Sequence, residues 1–376
     1  MQIVALNAIT KRLQAAFWSD VDVPDMVELE SGTAGSFFRG PVEHIGFADL
    51  TQRVHQSGLW DKMVRARFAP YTNRGHIFGL PHDVHPVMIA YRRDIFEKEG
   101  VDVSAIKTWD DYIAVARKLV VPNKRYMLEL NQSDTSQLLL CLLQRGGGLF
   151  NAKGECTFDN EVGLQTMLWY VPLVAGPKKI ASDLGGAQIL TRAVEDGYFL
   201  GLMAPDWRSK VVENDIPRMR GKMALMPLPA VKAGGASTST WGGTMLGITK
   251  ASKRQDLAWE LAQALYLNKQ DLAGRFQETN ILPAVRDAWK ASAYSKPNPY
   301  YSNQPLGKLY AQLAPQVPAR YSSAFIDTAN IKMGEALVAC VQRYNSSGDR
   351  GFESFCRAQL KESADEVRAM MKRNPY

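Results

Sequence analysis

Along this chain short apolar runs alternate with amphipathic stretches, and the two spacings call for different elements. Uninterrupted apolar or strand-forming runs at 2–6, 26–29, 87–91, 126–130, 198–204 and 246–249 are bounded by turn residues and predict strands. Helical spacing predicts helices over 11–18, from Thr108 to residue 119, and over 136–144, 161–171, 253–267, 331–344 and 351–371. In 253–267 the repeat is carried by Leu257, Leu261, Ala264 and Leu265. Strand and helix in turn imply a mainly parallel sheet with covering helices, and the restart of the pattern at Thr108 predicts a second α/β lobe. The stretch 294–305, rich in Pro, Tyr and Ser, predicts no regular element.

One segment gathers more polar chemistry than its neighbours. Between residues 74 and 101, Gly79 and Pro81 break regular structure, Asp83 and His85 supply an acceptor and a switchable donor, and the strand 87–91 follows. Asp94 then reads as the cap of a short helix closed by Gly100, and Thr108 as the cap of the next. A loop of this kind ahead of an apolar strand suits a binding-site edge that runs into a hinge.

The order of these pieces resembles a known family. Phe78-Gly-Leu-Pro, the strand ending in Tyr91-Arg-Arg-Asp94, Gly100-Val, and Thr108-Trp-Asp-Asp-Tyr112 are similar to the extracellular solute-binding proteins of ABC importers, in the sugar-binding group that includes maltose-binding protein. Val23 to Glu30, Gly146-Gly-Gly-Leu-Phe-Asn151, Phe199 to Trp207, Met226-Pro-Leu-Pro229 and Trp241-Gly-Gly-Thr-Met-Leu-Gly-Ile248 follow in the family's order, so the likeness covers nearly the whole chain.

The resemblance implies a two-lobed, periplasmic-binding-protein-like (type II) α/β fold. Lobe 1 would comprise 1–90 and 249–302, lobe 2 91–248 and 303–376, with hinge strands near 88–92 and 246–249. Because the first predicted strand matches the family's second, the resemblance also implies that lobe 1 lacks its N-terminal strand and helix. The implied function is capture of a sugar or similar polyhydroxylated solute between the lobes and delivery to a membrane permease. The implied protein is a periplasmic or extracellular monomer that needs no cofactor.

Sugar recognition needs flat aromatic faces and planar polar groups at strand ends. Trp207 follows Pro205-Asp206 after an apolar strand, where the family places a stacking aromatic, and Trp241 precedes Gly242 and Gly243, which let backbone approach a ligand. Glu30, Ser31 and Thr33 follow the strand 26–29, and Gln132 and Asp134 follow the strand 126–130. Asp83, His85 and Phe325 complete the candidate ligand-binding set. Trp109, Trp169, Trp259 and Trp289 sit at helical positions that suit core packing.

Length and charge narrow the alternatives. A chain of 376 residues exceeds what one core usually supports. Its 45 basic residues against 38 acidic give a net charge of +7, but the basic groups are scattered and not interleaved with aromatics, so a solvated surface accounts for them without nucleic acid. Cys141, Cys156, Cys340 and Cys356 allow disulfides, with Cys340 to Cys356 the pair that the spacing favours, or four buried thiols. With five histidines and no CxxC spacing, no metal site emerges. Gly146-Gly-Gly lacks the Lys of a phosphate loop, and no G-x-S-x-G or H-E-x-x-H occurs. A glycan-active enzyme using Asp83 or Glu30 with another carboxylate is the rival to a binder, and a truncated, non-functional paralogue the third possibility.

Overall fold

The computed structural model describes residues 3–19, 21–185 and 187–374, the side chains of residues 187 and 188 excepted. Ten strands lie among the described residues: β1 (Met26–Glu30), β2 (Thr72–Asn73), β3 (His76–Ile77), β4 (Leu80–Pro81), β5 (Val87–Arg92), β6 (Leu128–Glu129), β7 (Ala181–Ser182), β8 (Gly201–Pro205), β9 (Met223–Pro227) and β10 (Thr244–Ile248). They form a three-stranded sheet in the order β1-β10-β4, a small β2-β3 ladder and a five-stranded sheet in the order β7-β6-β8-β5-β9.

The expected parallel sheet is only partly there. β6 runs parallel to β7 and β8, whereas β5 is antiparallel to both β8 and β9, and the three-stranded sheet is antiparallel throughout. Apolar runs tell which residues form strands but carry no information on direction, which is set by the connections between them. β5 enters its sheet from β4 of the other sheet and lies between β8 and β9, antiparallel to both.

β5 is buried along its whole length, which is why it reads as an unbroken apolar run. Its side chains alternate between two cores. Val87, Ile89 and Tyr91 face one built with the helices Ser136–Gln144, Glu161–Val174, Ile326–Ser347 and Phe352–Arg373, while Met88 and Ala90 face a second that includes Leu246, Trp259, Tyr266, Tyr300 and Tyr301. A third, smaller core joins Val27, Leu29, Phe37, Phe47, Phe78 and Met245.

Several local expectations match. The helix Trp109–Leu119 starts on a reciprocal cap in which Thr108 Oγ1 accepts from Asp111 N at 3.2 Å and Asp111 Oδ2 accepts from Thr108 N at 2.8 Å. Ser136–Gln144 has its predicted bounds and is buried from Gln137 onward, its two glutamines held by Glu129 O and Trp109 Nε1. Trp109 and Trp259 are buried as expected of core residues.

Others do not. Leu6 begins the helix Leu6–Ser19 instead of ending a strand over 2–6, and Gln2 lies outside the described residues. Asp94 sits in the first turn of Arg93–Lys98, where Arg92 pairs with it at 2.7 Å, and does not cap it. In the helix Gln255–Leu267 the stripe Leu257, Leu261 and Leu265 faces solvent, and Ala258, Trp259, Ala262 and Tyr266 face the core. Two apolar stripes compete on that helix, and the one holding the aromatics covers more area. All four cysteines are buried thiols, and Cys340 and Cys356 face each other within hydrogen-bonding reach without a disulfide between them.

Candidate functional site

Strand register brings two sheet edges together. In the three-stranded sheet Glu30 pairs with Thr244 and Met245 with Pro81, so Ser31, Gly243 and the turn at His82 and Asp83 share one edge. In the five-stranded sheet Val87 pairs with Pro205 and Met88 with Pro227, which sets His85, Asp206 and Trp207 on one edge of that sheet. Because residues 82–86 run directly from one edge to the other, the edges are neighbours.

A buried ion-pair chain fills this junction. Arg67 Nη2 lies 3.1 Å from Asp83 Oδ1, His85 Nε2 3.1 Å from Asp83 Oδ2, and His85 Nδ1 2.5 Å from Asp206 Oδ1. Arg67 also donates to Asp83 O at 3.0 Å, Thr240 Oγ1 at 2.7 Å and Gly242 O at 3.1 Å. Asp206 Oδ2 accepts from Leu282 N at 2.8 Å and Asp83 Oδ2 from Thr244 N at 3.1 Å. Burial alone would push the Asp83 carboxyl up, but the charge and hydrogen bonds of His85, the bond from His82 and the Arg67 guanidinium hold it well below the usual range. Burial would likewise depress His85, and the Asp206 and Asp83 carboxylates instead raise it to about 9.

Asp83 and His85 were expected to reach ligand; both are buried, and both carboxylate oxygens and both ring nitrogens are already engaged internally. Their partners Arg67 and Asp206 were not among the sequence candidates. An Asp directly after an apolar strand, in Pro205-Asp206-Trp207, was the available signal for one; nothing local marks Arg67.

Beside the chain stand the two tryptophans. Both are half-buried, their rings meet edge to face with centroids 5.7 Å apart, and Trp207 Nε1 donates to Trp241 O at 3.0 Å. The Arg208 guanidinium lies over the Trp241 ring at 5.2 Å and pairs with Glu129 at 3.2 Å, at the end of β6. Gly242 and Gly243 hold φ of +91° and +130°. A Cβ on Gly243 would come within 2.0 Å of Arg67 Nη2 and 3.1 Å of the Tyr71 hydroxyl, so only glycine fits there.

The other candidates spread further. Glu30 is exposed at the end of β1, Ser31 is buried with its N–H donating to Gly243 O at 2.7 Å, and Thr33 Oγ1 donates back to Glu30 O at 3.2 Å. Gln132 Nε2 donates to Val174 O at 3.0 Å, and Asp134 accepts from Ser136 N at 2.8 Å while lining a groove beside the helix Ile326–Ser347. Phe325 is buried in the core of the five-stranded sheet, with the Arg39 guanidinium 5.3 Å from its ring centre. The turn before Phe325 packs on the short helix after β1: Gly35 lies so close that a Cβ would meet Ser322 Oγ at 2.1 Å and Ser323 O at 2.6 Å. No group of His, Cys, Asp and Glu able to hold a metal ion occurs among the described residues.

Two α/β sheets joined edge to edge over a buried polar floor, with helices outside, are the type II periplasmic-binding fold. The sugar-binding protein MalE from Xanthomonas citri superposes with a TM-score of 0.79 at 20% identity, covering 99% of this chain and 91% of that one. The model of the bacterial extracellular solute-binding protein family matches residues 47–271, and the chain belongs to that family. The chain is 28% identical over 283 residues to the arabinooligosaccharide-binding protein of Bacillus subtilis, across 74% of its own length. It is 24% identical over 292 residues to the protein of that name from Halalkalibacterium halodurans, across 77% of its length. In both cases the match spans 64% of the relative's length. Among the described residues no helix is long and apolar enough to cross a membrane.

Proposed function

We propose that this chain captures a sugar or similar polyhydroxylated solute between its two sheets and passes it to the membrane permease of an ABC importer, outside the cytoplasmic membrane. The carrying observation is the half-buried Trp207 and Trp241 pair at the junction of the sheet edges, flanked by Arg208 and by Gly242 and Gly243. An aromatic face with planar polar groups around it suits the apolar face and the hydroxyls of a pyranose or furanose. Membership of a solute-binding family and matches to two arabinooligosaccharide-binding proteins support the reading.

Trp207, Trp241, Gly242, Glu30 and Thr33 are the proposed contacts, with Gln132 and Asp134 on the outer rim. Asp83 and His85 position the floor beneath them. The lobes divide at the crossings flanking β5 and β10, and closure about those crossings is the working motion. Contacts made only in the closed form need to differ by about 3 kcal/mol to shift the open–closed balance roughly a hundredfold. The protein acts as a monomer. It does not turn its ligand over: Asp83, the carboxylate an enzyme would use with Glu30, is committed to Arg67 and His85.

Thermal-shift screening of arabino-, malto- and galacto-oligosaccharides, with chromatography of every hit, tests this. Stabilisation with intact ligand is the expected result; consumed ligand supports an enzyme, and the absence of any stabilising sugar removes the solute-binding reading.

A further inference from the structure

The polar floor balances its own charge, and one cation is left over. Arg67 and His85 pair with Asp83 and Asp206 in one linear chain, with His82 Nδ1 a further 3.4 Å neighbour of Asp83. Arg320, half-buried and two residues before Ser322, lies within electrostatic reach of the like-charged Arg67 and the Tyr71 ring hydroxyl. No carboxylate pairs with it among the described residues. Burial together with the Arg67 charge lowers its proton affinity, the mark of a cation placed where it lacks compensation.

Three hydroxyls lie near Gly243 and Gly35 without a hydrogen-bond partner. Tyr71 Oη, Ser31 Oγ and Ser322 Oγ are buried without a hydrogen-bond partner, although Ser31 lies near enough to act on Tyr71. They belong to one place. Tyr71 Oη is 3.1 Å from where a Gly243 Cβ would stand, Ser31 N bonds Gly243 O at 2.7 Å, and Ser322 packs on Gly35 just beyond the Ser31–Ala34 helix. Buried donors are normally satisfied, and a cation in a polar cleft is normally paired. Arg320, two serines and a tyrosine together offer a guanidinium fork and hydroxyl donors, the set that receives a planar carboxylate.

We infer that the solute is an acidic oligosaccharide, and that Arg320 takes the carboxylate of its uronic acid residue while Tyr71, Ser31 and Ser322 bond the oxygens around it. This rests on the solute-binding reading above and narrows it: a neutral sugar would leave Arg320 unpaired in the closed form, whereas a uronate would complete the charge balance of the site.

The test is calorimetric titration of the full chain with galacturonate, glucuronate and mannuronate trimers, each beside its carboxyl-reduced counterpart. The inference expects at least one uronate trimer to bind about ten- to a hundredfold more tightly than its reduced partner, with the margin shrinking as salt is raised. Arg320→Gln should erase that margin, and Arg320→Lys should restore part of it; matching melting temperatures show that the variants fold. Equal or better binding of the reduced sugars overturns the inference and leaves the solute-binding reading standing. So does selective binding of sugar 6-phosphates over uronates. Failure of every sugar, acidic or neutral, overturns both.

Discussion

His85 Nδ1 lies 2.5 Å from the Asp206 carboxylate, 121 positions further along the chain, while its Nε2 faces Asp83 two positions before it. One imidazole therefore ties the turn after β4 to the helix after β8. His85 holds this position at φ +55°, a left-handed conformation that few side chains with a Cβ adopt without strain.

The pH dependence follows from the sign of that pairing. A histidine raised from 6.5 to about 9 stabilises the fold fully below about pH 6.5, and that contribution is lost as pH rises through 9. Asp83, held well below 3.8, adds stability above that value which is lost only as pH falls through its folded pKa. His85→Asn, which tolerates the same backbone, should therefore lower the melting temperature most near pH 6 and progressively less towards pH 10. A difference that stays constant across the range counts against a charged His85.

Removing one partner of the buried chain should be more damaging than removing the histidine's charge by pH. Asp206→Ala leaves His85 and two backbone donors without their acceptor and is expected to cost about 3–5 kcal/mol. Urea unfolding monitored by circular dichroism measures it; a loss below about 1 kcal/mol means that the pairing contributes little.

Gly243→Ala places a Cβ 2.0 Å from Arg67 Nη2 at a φ of +130°. Backbone strain alone predicts a loss of about 1–3 kcal/mol, and displacement of Arg67 adds to it. Gly32→Ala, which meets nothing within 4 Å, serves as the paired control and should stay near neutral. Equal melting temperatures for the two variants would show that the Arg67 site yields readily.

Trp241→Ala removes both the edge contact to Trp207 and the surface under Arg208. Affinity for the best sugar found by screening should fall about tenfold or more, and the sugar-dependent change in tryptophan fluorescence should shrink in Trp207→Phe. Undiminished affinity in both variants would remove the aromatic pair from the site.

The four thiols should resist alkylation in the native state. Each is buried, and burial raises Cys141 to about 12 and, with a minor relief from Arg368, Cys156 to about 11. Intact-mass measurement at pH 8 should show none of the four modified before unfolding and all four after it. Rapid modification of Cys340 or Cys356 would contradict their packing.

Elements were more legible in the sequence than contacts. Thr108 with Asp111 is a cap written in adjacent letters, and the apolar block 136–144 is helix because its whole surface is covered, as its length and flanks suggest. The direction of β5 was hidden, because an apolar run reads the same whichever neighbour it pairs with. Glu30 and Trp207 could be placed at strand ends because strand ends are visible locally. The fate of Asp83 was not, since its partner Arg67 comes from a 3₁₀ segment without distinctive pattern, and Thr240, which shares that arginine, lies 173 residues from it. Polar residues near a turn look alike whether they end in solvent or in an internal pair, and only the partner across the fold decides.

Gly35, packed on the Ser322–Ser323 turn, sets a limit of another kind. Where two parts of a chain swing towards each other, the bulkiest atom at the point of first touch fixes how far they travel. If the closure proposed above brings Gly35 onto that turn, that atom is a hydrogen. A methyl group at position 35 would press on the Ser322–Ser323 turn and work as a doorstop, holding the junction ajar by about a fraction of an ångström to a few ångströms, so that Gly35→Ala would trade closure for opening.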